Sequence, residues 1–160
     1  VGMLDELSKK ELLIMSHLRM DGRRNLTKIS RETGVPVSTI YDKLKKYENS
    51  IIRKHTALLD FRKLGFELRV NLLIKAGRAA KEKLKDFLNS SQRINSLLKI
   101  NNGYDFLAEG IFKNMSEVQS FYDRLENFKV KNFEEFFVIE DIKREGFLSD
   151  PRLVGLENCI

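Results

Sequence analysis

The stretch that decides the fold is LTKISRETGVPVSTIYDKLKKY, residues 26–47. It predicts two short helices joined by a tight turn. Asn25 directly before it can cap the first helix, since its side-chain oxygen can accept a hydrogen bond from a free amide of the first turn. Gly34 predicts the end of that helix, because glycine adopts the left-handed conformation without a steric cost. Pro36 stands where a second helix can begin.

The second of these helices has two different faces. Ile40, Leu44 and Tyr47 recur at spacings of four and three residues and predict a buried stripe. The opposite face carries Val37, Ser38, Tyr41, Asp42 and Lys45. With the small Ser30 at the helix crossing, this pattern is typical of a helix-turn-helix whose second helix enters a DNA groove. An ordinary αα-hairpin on a protein surface is the alternative.

The net charge of +6 is unevenly distributed along the chain. Residues 1–66 contain 14 Lys and Arg against 8 Asp and Glu, whereas residues 67–160 contain 15 of each. All of the positive excess therefore lies with the helix-turn-helix, as expected for a surface that neutralises phosphates. A chance imbalance is the alternative. The residues predicted to contact DNA are Arg24, Val37, Ser38, Thr39, Tyr41, Asp42, Lys43, Lys45, Lys46, Arg53 and Lys54.

Within this set, side-chain chemistry predicts the separate roles. The hydroxyl of Ser38 can donate or accept at a base edge, and the ring of Tyr41 can pack on thymine methyl groups. Asp42 either accepts from cytosine N4 or pairs with Lys45 or Lys46. The lysines and arginines are expected to bind phosphates, which give affinity and position without sequence information.

The flanking segments complete a first domain over residues 1–59. Residues 3–20 are predicted to form a helix that covers the helix-turn-helix, with a capping box at Ser8-Lys9-Lys10-Glu11. Residues 51–59 are largely β-branched and apolar, and they predict an extended segment, either a wing or a strand leading out of the domain. Residues 60–66 predict a short and fairly stiff linker.

From residue 66 onward the pattern changes to alternating strands and helices. The predicted order over residues 67–160 is β-α-β-β-α-β, the ferredoxin-like arrangement. Its hairpin turn is Asn101-Asn102-Gly103, where a tight turn needs positive φ at two successive positions. The predicted elements are a strand over 68–75, a helix over 78–88, strands over 94–100 and 104–112, a helix starting at a capping box over 116–119, and a strand over 133–139.

Two helices on one face of such a sheet leave its other face open. Phe133, Phe136 and Phe137 cannot all point toward the helices, so the open face is predicted to be apolar. An apolar surface of that size usually binds a partner, and we expect two copies of the chain to pair through it. The alternative is that the tail over residues 147–156 folds back over the sheet.

Other features exclude several classes of function. No apolar run approaches the roughly 20 residues that span a bilayer, and no signal peptide is evident, so we expect a cytoplasmic protein without a membrane partner. Cys159 is the only cysteine, and no zinc-ligand spacing occurs, so neither a metal nor a cofactor is expected. The chain has no nucleophile–base pair, phosphate-binding glycine loop or carboxylate–histidine cluster, so we expect no catalytic residues and no enzyme.

Several short runs fall where one known family has similar runs: Leu4-Asp5, Asp21-Gly22-Arg23, residues 29–34, residues 56–60, Leu64-Gly65 and Gly103-Tyr104-Asp105-Phe106. Over nearly its whole length the chain resembles the Lrp/AsnC (leucine-responsive regulator/asparagine-synthase regulator) family of prokaryotic transcription factors, common in archaea. The resemblance implies an α+β fold, with an N-terminal winged helix-turn-helix followed by a ferredoxin-like domain for dimerisation and effector binding.

The same resemblance implies a homodimer, in many members assembled into an octamer, that reads a pseudo-palindromic site in double-stranded DNA. It also implies, in many members, an amino-acid-like effector near the turn between the second and third strands. By position the effector candidates are Asn102, Gly103 and Asp105, since amides of the turn can hold a carboxylate and an aspartate can hold an ammonium. The alternative function is a protein-interaction or architectural module that uses the winged helix without sequence-specific readout.

Overall fold

The computed structural model describes residues 7–155. They form two compact units, one made of residues 7–58 together with 142–155, and the other of residues 59–141. The sequence prediction placed 142–155 in the second domain, whereas the structure groups them with the first. Some of the predicted features lie outside the described residues: Leu4-Asp5, the start of the predicted first helix, and Cys159.

Three helices build the first unit: α1 (Lys9–Met20), α2 (Leu26–Thr33) and α3 (Val37–Glu48). The predicted capping box is confirmed, because the Ser8 hydroxyl accepts from the Glu11 amide and the Glu11 carboxylate accepts from the Ser8 amide. The Asn25 side chain accepts from the amide of the second residue of α2, as predicted, and Gly34 ends that helix with φ of 69°. The helix-turn-helix is therefore confirmed in its local detail.

The core of the first unit lies where these three helices meet. Ile14 of α1, Ile29 of α2 and Ile40 of α3 are fully buried, and Tyr47 is nearly so. Val35 fills the corner between α2 and α3. Burial of one such side chain contributes about 1.5–3 kcal/mol, so this apolar junction sets the angle at which α3 is presented.

The predicted wing is not formed in the described chain. Residues 51–60 contain neither strand nor helix. A strand needs a neighbour to satisfy its backbone groups, and the strands found between residues 7 and 155 pair only with one another in a single sheet. A short 3-10 helix, Arg62–Leu64, follows this segment and ends at Gly65 with φ of 84°.

The second unit is a four-stranded antiparallel sheet with two helices. Its elements are β1 (Leu68–Ala76), α4 (Lys81–Ser90), β2 (Ile94–Lys99), β3 (Phe106–Phe112), α5 (Met115–Glu126) and β4 (Val130–Phe137). The strand order is β2-β3-β1-β4, which confirms the ferredoxin-like prediction. Asn102 and Gly103 have φ of 61° and 95°, so the turn between β2 and β3 has the predicted positive φ at two successive positions.

The start of α5 differs from the prediction. Its N-cap is Asn114, whose side chain accepts from the Glu117 amide at 3.1 Å. The Glu117 carboxylate in turn accepts from the Lys113 amide at 3.0 Å. The capping box predicted at Ser116 and Gln119 is therefore wrong, because the same spacing begins two residues earlier with a carboxylate that is the stronger acceptor.

The two faces of the sheet follow from the strand register. Val70, Leu72 and Ile74 of β1 are fully buried against α4 and α5. On β4, Phe137 lies opposite Val70 and Phe133 opposite Ile74, so both rings lie on the helical face. Phe136 lies opposite Asn71 and therefore on the open face. The prediction that the three rings cannot share one face is confirmed.

The segment from residue 142 onward packs within the first unit. Arg19 of α1 donates from Nε to the Phe147 carbonyl at 2.6 Å and pairs with the Glu145 carboxylate at 3.0 Å. A 3-10 helix, Pro151–Leu153, follows, and Val154 is buried. The described part of the tail thus contacts α1, whereas the alternative prediction had it fold over the sheet.

Candidate nucleic-acid interface

Helix α3 presents one face to the core and the other to solvent. Ile40 and Tyr47 are buried, as the predicted stripe requires. Half of the Tyr41 side chain is exposed, and the other exposed residues of the helix are Val37, Ser38, Thr39, Asp42, Lys45, Lys46 and Glu48. The structure therefore brings seven of the predicted DNA-contacting residues together on the solvent side of a single helix.

Tyr41 and Lys45 form a pair on this exposed face. The Lys45 ammonium lies 4.6 Å from the centre of the Tyr41 ring. The hydrogen bond with Tyr41 raises the pKa of Lys45 above its usual value. An apolar ring beside a permanent cation can contact a thymine methyl group and a phosphate at the same time.

Two of the predicted phosphate contacts are already paired within the protein. Lys43 donates from Nζ to Oε1 of Glu11 at 2.7 Å. Arg24 donates to both carboxylate oxygens of Glu32, and only 11% of the Arg24 side chain is exposed. Each of these two cations is therefore held by a carboxylate of the protein itself, and their predicted contact with DNA stays a prediction.

The remaining cations lie on neighbouring segments. Arg53 and Lys54 are exposed in the irregular segment after α3. Lys28 and Arg31 are exposed on α2 and were not among the predicted contacts. Leu26 and Ile29 mark the inner face of α2, and the helical periodicity places both cations on the outer face. The exposure of Lys28 and Arg31 could therefore have been predicted from the sequence.

Glu11 makes contacts with α3 that the sequence analysis missed. It was assigned only to the capping box, yet its Oε1 also accepts from the Tyr47 hydroxyl at 2.6 Å. A tyrosine inside a buried stripe needs a partner for its hydroxyl, which indicates an acceptor near Tyr47. The sequence does not show which of the acidic residues supplies it.

The turn predicted to bind an effector has two exposed residues followed by a buried aspartate. Asn102 and Gly103 are exposed, and no hydrogen bond of their amides occurs among residues 7–155. Asp105 is only 7% exposed and accepts from the Ala76 amide at 3.0 Å and from the Lys81 ammonium. The hydrogen bond from Lys81 holds the pKa of the Asp105 carboxyl below its usual value.

The open face of the sheet carries a continuous apolar row. Leu98 of β2, Leu107 of β3 and Leu73 of β1 lie opposite one another in register. Phe136 of β4 lies on the same face, one row away. Leu98 and Phe136 are more than half exposed. The face also holds an ion pair between Arg69 and Glu109 at 3.1 Å, so it is less apolar than predicted.

Between residues 7 and 155 no group of three or more His, Cys, Asp or Glu side chains lies close enough to hold a metal ion. No helix in that range has both the length and the apolar character needed to cross a bilayer.

Comparison with known proteins identifies the family. Residues 70–148 match the Lrp/AsnC ligand binding domain. The HTH-type transcriptional regulator FL11 of Pyrococcus abyssi is 31% identical over 121 residues, which cover 75% of this chain and 78% of FL11. FL11 of Pyrococcus furiosus is 30% identical over 123 residues, which cover 76% of this chain and 80% of that protein.

Solved structures share the fold at lower identity. LrpC of Bacillus subtilis has a TM-score of 0.76 at 17% identity, covering 89% of this chain and 99% of LrpC. The L-Met complex of the transcriptional regulator NMB0573 of Neisseria meningitidis has a TM-score of 0.79 at 22% identity, covering 86% and 93%. With the helix-turn-helix, the ferredoxin-like sheet and these relatives, the chain belongs to the Lrp/AsnC family of DNA-binding, HTH-type transcriptional regulators.

Proposed function

We propose that this chain binds a pseudo-palindromic site in double-stranded DNA as a homodimer, with α3 of each copy in the major groove. The observation that carries the proposal is the solvent face of α3. It combines an aromatic ring, hydroxyls and lysines, and none of these side chains contributes to the buried core of the unit. Such side chains read base edges and bind phosphates.

The dimer is supported by the open sheet face. Leu73, Leu98, Leu107 and Phe136 form a patch on one side of the sheet. A second copy that packs its own patch against this one around a two-fold axis would bury both. Two-fold symmetry in the protein is matched by an inverted repeat in the DNA, with half-sites one helical turn apart or a multiple of it.

The test is selection of binding sites from random duplex DNA by the purified protein, followed by sequencing of the recovered pool. Enrichment of an inverted repeat with half-sites about 10–10.5 base pairs apart, or a multiple of this spacing, is the expected result. Salt-sensitive binding without an enriched motif contradicts sequence-specific readout and favours an architectural DNA-binding protein. Absence of binding favours the protein-interaction module.

The salt dependence of DNA binding provides a second test, which uses Lys45 on the exposed face of α3. Lys45→Met is expected to weaken every duplex alike and to reduce the slope of log K against log salt by about one. Lys113→Met is the matched control, since it removes an exposed lysine from the sheet unit and is expected to leave both quantities unchanged.

We also propose that the sheet unit binds a small carboxylate-containing effector at the turn of Asn102 and Gly103. The proposal is supported by the family match over residues 70–148, which is to a ligand binding domain. It is also supported by the exposed turn, whose amides have no hydrogen-bond partner within residues 7–155. Thermal unfolding in the presence of each amino acid tests it. A rise in Tm that Gly103→Val abolishes is expected, and a flat response to all of them contradicts it.

A further inference from the structure

The carboxylate of Glu11 joins α1 to α3, the helix that we propose enters the major groove. Oε2 of Glu11 accepts from the amide and the hydroxyl of Ser8, at 2.9 and 2.8 Å, and belongs to the cap of α1. Oε1 of the same group accepts from Lys43 at 2.7 Å and from the Tyr47 hydroxyl at 2.6 Å. Lys43 and Tyr47 are one turn apart on α3, so the carboxylate contacts that helix at two points.

The ion pair of Glu11 and Lys43 is partly shielded from solvent. Only 19% of the Glu11 side chain and 35% of the Lys43 side chain are exposed. The hydrogen bonds from Lys43, Tyr47 and Ser8 hold the pKa of Glu11 far below its usual range. Burial, together with Glu11, raises the pKa of Tyr47. At neutral pH Glu11 is therefore a carboxylate and Tyr47 a neutral phenol.

We infer that Glu11 is a positioning residue for DNA recognition, which fixes α3 against α1 and holds the Lys43 ammonium away from the phosphate backbone. The inference rests on the proposed DNA-binding function. Phosphate contacts add affinity for every sequence equally. A lysine held by an internal carboxylate adds none, so this effect of Glu11 lowers the affinity for all DNA alike. The ratio of specific to non-specific affinity depends instead on the placement of α3, which Glu11 fixes through its contacts with Lys43 and Tyr47.

Glu11 accepts hydrogen bonds in the cap of α1 and also holds Lys43. A single substitution can distinguish these two roles. In a capping box the third helical residue can be glutamine as well as glutamate. Glu11→Gln therefore keeps an acceptor for the Ser8 amide while it removes the charge that holds Lys43. If Glu11 serves only the cap, this variant binds DNA like the wild type. If it holds Lys43, the variant releases one cation toward DNA.

The experiment measures binding of the selected duplex and of a scrambled duplex of equal length over a series of salt concentrations. For Glu11→Gln we expect tighter binding of the scrambled duplex and a lower ratio of specific to non-specific affinity. The slope of log K against log salt is expected to become steeper by about 0.9, the value for one additional phosphate contact. The double variant Glu11→Gln, Lys43→Met is expected to return the slope to that of the wild type.

A second pair of variants tests the inference without changing Glu11. Lys43→Met is expected to leave the wild-type salt slope unchanged, whereas Lys45→Met reduces it by about one. The inference is overturned if Glu11→Gln leaves slope and affinity ratio unchanged, or if Lys43→Met reduces the slope as much as Lys45→Met does. A wild-type protein that binds neither duplex overturns the proposed function and this inference together, whereas wild-type binding with unaltered variants overturns the inference alone.

Discussion

The Lys81 ammonium donates a hydrogen bond to the Asp105 carboxylate at one end of the sheet. The other oxygen of Asp105 accepts from the buried Ala76 amide at 3.0 Å. Asp105 thus links the first residue of α4, the last residue of β1 and the turn before β3. The position that the family resemblance connects with an effector ammonium is occupied here by the chain's own lysine.

Asp105→Ala is expected to lower the free energy of unfolding by about 1–3 kcal/mol, because it leaves the buried Ala76 amide without an acceptor. The ion pair itself adds little to this figure, since Lys81 is one third exposed. Urea denaturation measures the change. Asp123→Ala, on the exposed side of α5, is the control and should change stability by less than about 0.5 kcal/mol. An equal effect of both variants would contradict the structural role of Asp105.

Gly110→Ala is expected to destabilise the sheet unit by about 1–3 kcal/mol. A Cβ at this position would lie 2.6 Å from a ring carbon of Phe112, and that ring is fully buried and cannot move without displacing its neighbours. Thermal unfolding measures the loss. Gly22→Ala is the matched control, because the nearest atom to its Cβ would lie 3.9 Å away; a loss of similar size there would refute the steric explanation.

Stability is expected to fall as the pH is lowered through about 6.5. Burial of His17, reinforced by the charge of Arg24 and partly opposed by Glu32, lowers the pKa of His17 from its ordinary 6.5. Below that value the unfolded chain binds a proton that the folded chain does not, so protonation favours unfolding, and the stability is retained above it.

Thermal unfolding between about pH 5.5 and 8 measures the effect, in a window above the ordinary carboxylate titrations. His17→Gln is expected to flatten the dependence. The exposed His55, which pairs with Glu48 at 3.1 Å, provides the control. His55→Gln should keep the wild-type profile. If His55→Gln flattens the profile and His17→Gln does not, the assignment of the pH dependence to His17 is contradicted.

Phe136→Lys is expected to weaken the proposed dimer at least tenfold. Burial of a phenylalanine ring contributes about 1.5–3 kcal/mol, and about 1.4 kcal/mol corresponds to a tenfold change in Kd. Sedimentation equilibrium measures the association constant. Phe147→Lys is the control, since that ring is exposed in the other unit. A dimer that survives Phe136→Lys but not Phe147→Lys would place the interface away from the sheet.

Features set by neighbours in sequence were predictable. Asn25, Gly34 and the capping box at Ser8 and Glu11 act through hydrogen bonds and φ angles within four residues. The turn at Asn102 and Gly103 likewise follows from local backbone preference. Where two local signals competed, the prediction failed, as at α5, where Asn114 and Glu117 form the cap instead of Ser116 and Gln119.

The sequence by itself therefore determined the order of helices and strands, the buried and exposed faces of α3, and the family, because periodicity, caps and turns act over a few residues. Tertiary structure alone decided which charges remain free. Lys43 meets Glu11 across 32 positions and Lys81 meets Asp105 across 24. Such pairs depend on how the packed helices and strands bring distant residues together, and hydrophobic periodicity carries no information about which cation meets which carboxylate. The same reason applies to residues 142–155, whose place against α1 depends on Arg19 and the carbonyl of Phe147.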